Sequence, residues 1–189
     1  EEHMNATTST ETTALAVAPR QSFDLSPRDF DEAWRMAEYL SDSDMVPKDF
    51  KGKPANCLVA IQWGGELGLK TMQAIQNIAV INGRPSLWGD VMLALVRASP
   101  LCEYVVETVT DQGATCKVKR RGEPEQSREF TVADATAAGL INKDGPWKQY
   151  RKRMLQMRAR AWALRDVFTD VLKGLHMAEE AMDMPPEKH

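Results

Sequence analysis

The sequence predicts an α+β fold, in which a small antiparallel sheet and a β-hairpin pack with several helices, including one long basic C-terminal helix. Asn82-Gly83 separates two short apolar runs and readily takes the two positive φ angles of a type I′ turn, so a hairpin is expected there. Three alternating segments typical of an antiparallel meander follow, at 103–110, 115–121 and 128–132. Apolar residues three and four apart, from Trp147 to Leu175, indicate the long helix.

Two helices are predicted before the hairpin. The first is expected to begin with Ser26 as its N-cap and Pro27 in its first helical position. The second is expected over residues 54–69, and its glycines would allow another backbone to approach closely. Each of these glycines lowers helix propensity by about 1 kcal/mol. The glycines are Gly64, Gly65 and Gly68.

Around and after the hairpin, single residues set further expectations. Pro85 has no N–H to donate to a ladder, which predicts an edge position for the second hairpin strand. Asp90 is expected to cap a short helix that runs to Arg97. Another short helix is predicted over 133–140. The long helix after Trp147 has no proline or glycine before Gly174, which predicts about 26 continuous residues and a length of about 39 Å.

The length of 189 residues suits one domain. Residues 1–21 are predicted to be a disordered tail that starts with a cloning remnant, residues 22–182 a single core domain, and residues 183–189 a linker or truncated tail. Three widely spaced cysteines favour reduced thiols in the cytoplasm over a disulfide framework. No stretch approaches the roughly 20 apolar residues of a membrane span, so no membrane partner is expected.

The charge distribution is uneven although the net charge is only −3. Between Lys143 and Arg165 there are eight Lys or Arg residues and one acid, Asp144. Arginines seven residues apart lie roughly 10 Å apart on a helix, a spacing with which they could follow a phosphate backbone. The alternative interpretation is that these arginines are a solvated face, or lie along a buried helix and pair with acids elsewhere in the chain.

Motifs of nucleotide-driven and nucleophilic chemistry are absent from the sequence. There is no G-x-x-x-x-G-K-[ST] phosphate loop, and the three histidines lie at or near the termini. A metal-dependent nuclease is the sharpest enzyme alternative, because Asp49 and Lys51 have the spacing such enzymes use, with Asp42 and Asp44 nearby. That pattern is short and falls in a polar loop. We therefore expect no catalytic residue, no metal site and no cofactor.

Several segments in a fixed order carry a resemblance to a known family. The matching segments are residues 60–96, 130–140 and 147–175. Their most specific features are Glu66-Leu67-Gly68-Leu69, Asn82-Gly83, Ala138-Gly139-Leu140 and the run from Arg158 to Gly174. In this order they resemble the RecT family of phage-type single-strand annealing proteins. The resemblance covers residues 23–180.

The resemblance implies ATP-independent binding and annealing of complementary single-stranded DNA to give a duplex. It also implies a homo-oligomer, as a ring or helical filament, and a partner 5′→3′ exonuclease. The basic face of the long helix is expected to contact phosphates through Lys148, Arg151, Lys152, Arg158, Arg160 and Arg165. Near the hairpin, Lys70, Arg84 and Trp88 are expected to hold or stack on the second strand, although a core position for Trp88 stays open.

One further alternative is a structural protein that assembles without DNA. The apolar stripe of the long helix would then be an oligomerisation seam. Mixing complementary oligonucleotides with the protein, with and without Mg²⁺ or ATP, distinguishes annealing, nuclease and assembly functions.

Overall fold

The computed structural model describes residues 25–184, so the predicted tail at 1–21 and most of the predicted linker at 183–189 lie outside the described residues. The described part has the predicted α+β fold, with two three-stranded sheets. Its helices are Phe30–Asp42 (α1), Pro54–Glu66 (α2), Thr71–Asn77 (α3), Gly89–Ala98 (α4), Val132–Ala137 (α5), Pro146–Gln149 (α6), Arg151–Val167 (α7), Thr169–Leu172 (α8) and Ala178–Ala181 (α9). Its strands are Ile78–Ile81 (β1), Arg84–Leu87 (β2), Cys102–Val109 (β3), Gly113–Arg120 (β4), Gln126–Thr131 (β5) and His176–Met177 (β6).

Helix α1 begins later than predicted, because Asp29 and not Ser26 is its N-cap. The Asp29 carboxylate accepts a hydrogen bond of 2.8 Å from the Glu32 amide. Glu32 reaches back in turn and accepts from the amide of Arg28 at 2.9 Å. This pair of bonds satisfies donors at the helix start, so Pro27 precedes the helix and does not occupy its first position.

Helices α2 and α3 pack against each other through a glycine. The predicted helix at 54–69 ends at Glu66, because Gly68 has a positive φ of 76° that turns the chain into α3. Helix α3 was not predicted from the sequence. A Cβ added at Gly64 would lie 2.2 Å from the Cβ of Ala74. The close backbone approach predicted for this glycine helix is therefore confirmed at Gly64.

The hairpin is confirmed in both register and turn. Strands β1 and β2 pair antiparallel across Asn82 and Gly83, which have φ angles of 52° and 77°. The edge prediction from Pro85 is wrong, because β2 lies between β1 and β6. Strand β6 pairs only with Ser86 and Leu87, so no hydrogen bond is required of the Pro85 nitrogen.

The predicted meander is also confirmed, as an antiparallel sheet in the order β3-β4-β5. Alternate residues of β4 turn inward, and Cys116 and Val118 are fully buried. Helix α7 packs on this face. The Phe130 ring lies edge-on to Trp162 of α7, with a centroid distance of 5.1 Å. Sheet and helix thus share one core.

The single long helix predicted after Trp147 is interrupted. Helix α7 has 17 residues, and non-helical backbone at Tyr150 (ψ 47°) and Phe168 (ψ 36°) separates it from α6 and α8. Gly174 has a φ of 75° and ends the helical region, as predicted. The apolar stripe continues across the breaks because its residues face the protein core and not a partner helix. The buried residues of this stripe are Trp147, Met154, Met157, Ala161, Leu164, Phe168 and Leu175.

Helix α4 differs from expectation in its cap, and helix α5 ends earlier than predicted. Trp88, and not Asp90, holds the N-cap position of α4, which runs on to Ala98. Helix α5 begins after Thr131, whose hydroxyl accepts from the amide of Asp134 at 3.1 Å. The Asp134 carboxylate accepts from the Thr131 amide at 2.8 Å, which completes a capping box.

Candidate nucleic-acid interface

The basic residues between 143 and 165 do not form one exposed face. Those before and in the first turn of α7 are exposed, whereas those in the middle and last turns are covered by acidic residues from other elements. The exposed residues are Lys148, Arg151, Lys152 and Arg153, together with Lys143, which pairs with Asp183. The covered residues are Arg158, Arg160 and Arg165. The two groups have different chemical roles.

The exposed cations border a concave surface with a volume of about 720 Å³. We call this surface the basic patch, and it is lined by Lys148, Gln149, Tyr150, Arg151, Lys152 and Arg153, together with Asp111 and Gln112 from the β3–β4 turn. Tyr150, in the break between α6 and α7, is 66% exposed. Four cations and an exposed aromatic ring thus share one shallow depression.

Two of the ion pairs within the basic patch are weak. Lys148 pairs with Asp144 at 2.7 Å and Lys152 with Asp111 at 2.6 Å, and all four side chains are more than half exposed. Exposed pairs of this kind contribute only about 0–1 kcal/mol, so a phosphate can compete with either carboxylate. Within residues 25–184, no carboxylate lies within ion-pair distance of Arg151.

The position of these cations at the start of α7 is electrostatically unfavourable for the free protein. Arg151, Lys152 and Arg153 fill the first turn, which contains no acidic residue. The N-terminal end of a helix carries partial positive charge, and a like charge there costs about 0.3–1 kcal/mol. Tyr150 supplies no side-chain cap to this helix end. An anion at the basic patch would remove this repulsion.

Arg160 is buried and has its own partners. Its side chain is 3% exposed, and it donates to Glu107 at 2.7 and 2.8 Å. It also donates to the Asp90 carboxylate at 2.8 Å and to the Gly89 carbonyl at 3.1 Å. The hydrogen bond from Arg160, with a second from Arg153, lowers the pKa of Asp90. Arg160 therefore joins α4 and β3 to α7, and the expectation that it contacts phosphate is corrected.

Arg158 and Arg165 are likewise engaged with the C-terminal segment. Arg158 donates to Asp183 at 2.9 Å and lies 3.6 Å from Glu180. Arg165 donates to Glu180 at 3.0 Å and contacts Nδ1 of His176 at 2.6 Å. The side chains of Arg158 and Arg165 are 13% and 24% exposed. We correct the expectation for both, because carboxylates already occupy their guanidinium groups.

Asp183 belongs to this network and not to a linker. Its side chain is 3% exposed, and it also accepts from Lys143 at 2.8 Å and from the Trp147 indole at 2.9 Å. The folded unit therefore extends past the predicted boundary at residue 182.

The residues predicted near the hairpin lie apart from the basic patch. Lys70 is exposed before α3, and its amide donates to the Gln73 side chain at 3.0 Å. Trp88 is half-buried, and it lies two residues before Asp90, to which Arg153 donates at 2.7 Å. Arg84 borders a separate small cavity. None of the three lines the basic patch.

Two residues of the basic patch were missed by the sequence analysis. Arg153 is one of the eight basic residues between Lys143 and Arg165 but is not among the predicted phosphate contacts. Tyr150 was placed in the inward-facing apolar stripe. The polar neighbours of Tyr150, Gln149 and Arg151, could have indicated an exposed aromatic residue. Tyr150 directly follows the short helix that begins at Pro146.

The acidic pattern considered for a nuclease does not form a metal site among the described residues. Lys51 pairs with Asp44, and Phe50 between the two charged residues of the motif is buried. Across residues 25–184, no three His, Cys, Asp or Glu side chains are grouped as metal ligands would be. Over the same range, no helix has the length and apolarity needed to span a membrane.

Comparisons with known proteins add no assignment. No protein-family model matches the chain, and no curated protein is similar to it in sequence.

Proposed function

We propose that this chain binds single-stranded DNA through the basic patch and anneals complementary strands without hydrolysing a nucleotide. The single observation that carries the proposal is the cluster of Lys148, Arg151, Lys152 and Arg153 around an exposed aromatic residue. The proposal is also supported by the resemblance of residues 23–180 to the RecT family.

Phosphate binding follows from the state of these cations. The carboxylate partners of Lys148 and Lys152 are exposed and weakly held, and Arg151 has none among residues 25–184. Arg153 shares Asp90 with the buried Arg160. A DNA backbone that replaces these partners releases condensed counterions, which is the main source of sequence-independent affinity. Binding by backbone charge leaves the base edges free to test pairing with a second strand.

Tyr150 would contribute the second element of a single-strand site. Its ring is exposed between Lys148 and Arg151, and stacking of a base on an aromatic ring is worth about 1–3 kcal/mol. Such stacking is available to every base and therefore adds affinity without sequence preference. A stacked base next to neutralised phosphates is the arrangement expected of a general single-strand binder.

Self-association completes the proposed mechanism. One basic patch with four cations covers only a few nucleotides, so strong binding requires several protomers along one strand. Rings or filaments, implied by the resemblance, would provide them. A 5′→3′ exonuclease, the partner that the resemblance also implies, would supply the single strands.

The direct test is a binding titration of a labelled single-stranded oligonucleotide across a salt series. For three or four phosphate contacts, we expect a log–log slope per protomer of about −2 to −3, at about −0.7 for each phosphate. The double variant Arg151→Glu, Lys152→Glu should lose most of the affinity and reduce the slope by at least about 1.4.

The matched control is Lys48→Glu, Lys117→Glu, which changes the net charge by the same amount at exposed lysines outside the basic patch. It should bind DNA nearly as well as the unmodified protein. Equal losses in the two double variants would mean that only net charge matters. An unchanged affinity in Arg151→Glu, Lys152→Glu would remove the basic patch from the proposal.

A further inference from the structure

Arg153 differs from the other cations of the basic patch because two acceptors hold its guanidinium. Its Nη2 donates to Oδ1 of Asp90 at 2.7 Å, and its Nη1 donates to Oε1 of Gln156 at 3.1 Å. The Arg153 side chain is nevertheless 45% exposed at the edge of the patch. One cation is therefore both accessible to solvent and fixed from two sides.

Both acceptors of Arg153 are themselves held by a buried ion pair. Oδ1 of Asp90 also accepts from Arg160 at 2.8 Å, and Nε2 of Gln156 donates to Glu107 at 3.2 Å. Arg160 donates to both carboxylate oxygens of Glu107, at 2.7 and 2.8 Å, and the two side chains are 3% and 12% exposed. The contacts thus close into a ring of five side chains. We call it the Arg160 ring, and its members are Asp90, Glu107, Arg153, Gln156 and Arg160.

The backbone next to Asp90 is also fixed. The Gly89 carbonyl accepts from Arg160 at 3.1 Å, and the Gly89 amide donates to the Glu179 carboxylate at 3.1 Å. A Cβ added at Gly89 would lie 2.7 Å from Sδ of Met157, so the start of α4 packs closely on α7. Although the Asp90 side chain is 75% exposed, its Oδ1 therefore has a defined position relative to α7.

The carboxylates beside the two lysines of the basic patch have no such anchor. Among residues 25–184, the Asp144 carboxylate contacts no cationic side chain except Lys148, and the Asp111 carboxylate none except Lys152. Each of these pairs consists of two exposed side chains that can move together. They compete with a phosphate for the lysine and do not orient it.

A guanidinium held in this way can still bind phosphate. An arginine has five N–H donors, and Arg153 uses one toward Asp90 and one toward Gln156. The other three have no partner among residues 25–184. A side chain that is already ordered loses less conformational entropy on binding than a free one.

We infer that Asp90 and Gln156 are positioning residues, which hold the Arg153 guanidinium at the edge of the basic patch in the orientation that binds DNA phosphate. The inference rests on the proposed function, because the phosphate belongs to the DNA strand bound there. It assigns Asp90 an effect opposite to that of its charge. A carboxylate next to cations repels phosphate, whereas a carboxylate that orients an arginine strengthens phosphate binding.

The first test compares the sign of two substitutions in the titration of a labelled single-stranded oligonucleotide. Asp90→Ala and Asp111→Ala each remove one carboxylate beside the basic patch and change the net charge equally. Asp111→Ala should bind DNA more tightly, because Lys152 loses a competing carboxylate. Asp90→Ala should bind about three- to tenfold more weakly, and so should Gln156→Ala, which leaves the net charge unchanged. Tighter binding by Asp90→Ala would overturn the inference.

A double-mutant cycle shows whether Asp90 acts through Arg153. Arg153→Ala should weaken binding and reduce the salt slope by about 0.7, the value for one phosphate contact. In the Arg153→Ala background, Asp90→Ala should cause no further loss. A loss of the same size in both backgrounds would show that Asp90 acts through the fold alone, and would overturn the inference. Gln156→Ala takes the place of Asp90→Ala in the cycle if thermal denaturation shows that Asp90→Ala does not fold.

Nuclear magnetic resonance relaxation of the arginine side chains tests the positioning without DNA. The Nε–H of Arg153 should have restricted motion on the picosecond-to-nanosecond timescale, unlike that of Arg151, and Asp90→Ala should remove the restriction. Equal mobility of Arg151 and Arg153 in the unmodified protein would overturn the inference. A restricted Arg153 in a protein that does not bind DNA would contradict the proposed function. A mobile Arg153 in a protein that binds DNA would contradict only the positioning by Asp90 and Gln156.

Discussion

Arg151 and Arg160 lie nine residues apart in one helix and have different roles because their surroundings differ. Arg151 is exposed and has no carboxylate within ion-pair distance among residues 25–184, whereas Arg160 is buried between Glu107 and Asp90. The sequence could not predict which of the two arginines is buried, because Glu107 and Asp90 come from distant positions in the chain. The seven-residue spacing showed which arginines lie on the same side of the helix. It did not show which side is covered by acidic residues from other elements.

At the residue scale, Arg158→Gln should destabilise the protein, whereas Arg151→Gln should not. Loss of Arg158 leaves the almost fully buried Asp183 and Glu180 with fewer partners. Removing one member of a buried pair costs up to about 3–5 kcal/mol. Because Lys143 and Arg165 still contact these acids, we expect a loss of about 2–4 kcal/mol.

Urea denaturation measures the free energy of unfolding of both variants. Arg151→Gln should change it by less than about 0.5 kcal/mol. Equal stability of the two variants would contradict the structural role assigned to Arg158. The same reasoning implies that charge reversal at Arg158 tests folding and does not test DNA binding.

At the scale of elements, turn residues and alternating patterns predicted the hairpin and the meander. The ends of several helices depend on tertiary packing and were not predicted. The type I′ turn needs only Asn82-Gly83, so it is readable from two residues. The interruptions of the long helix at Tyr150 and Phe168 could not be predicted from local sequence, because neither residue type disrupts a helix by itself. Helix α3 was missed because residues 71–77, between the helix predicted at 54–69 and the hairpin, were assigned to no element.

The α2–α3 contact gives a matched pair of variants one residue apart. Gly64→Ala should destabilise the protein by about 1–3 kcal/mol, because the new Cβ would overlap Ala74 and force the helices apart. Gly65→Ala meets nothing within 4 Å and should be neutral or stabilising by up to about 1 kcal/mol, through improved helix propensity. Thermal denaturation measures both. A stable Gly64→Ala protein would show that α2 and α3 do not pack this closely.

At the scale of the whole molecule, the charge is divided between an exposed cluster and buried networks. The net charge of −3 conceals this division, because acids near the C-terminus neutralise arginines of α7. The sequence therefore predicted which residues of this segment are basic, but not which of them are exposed. Lys148, Arg151 and Lys152 are exposed, and their contact with phosphate stays a prediction. The DNA contacts of Lys70, Arg84 and Trp88 also stay predictions.

Annealing of two complementary oligonucleotides, followed on a gel in the absence of ATP and Mg²⁺, is the sharpest test of the proposed function. The unmodified protein should accelerate formation of an intact duplex, and adding ATP should not change the rate. Arg151→Glu, Lys152→Glu should anneal at the rate of the protein-free reaction, and Lys48→Glu, Lys117→Glu at nearly the unmodified rate. A strict ATP requirement, shortened strands that appear only with Mg²⁺, or full annealing by the Arg151→Glu, Lys152→Glu variant would contradict the account.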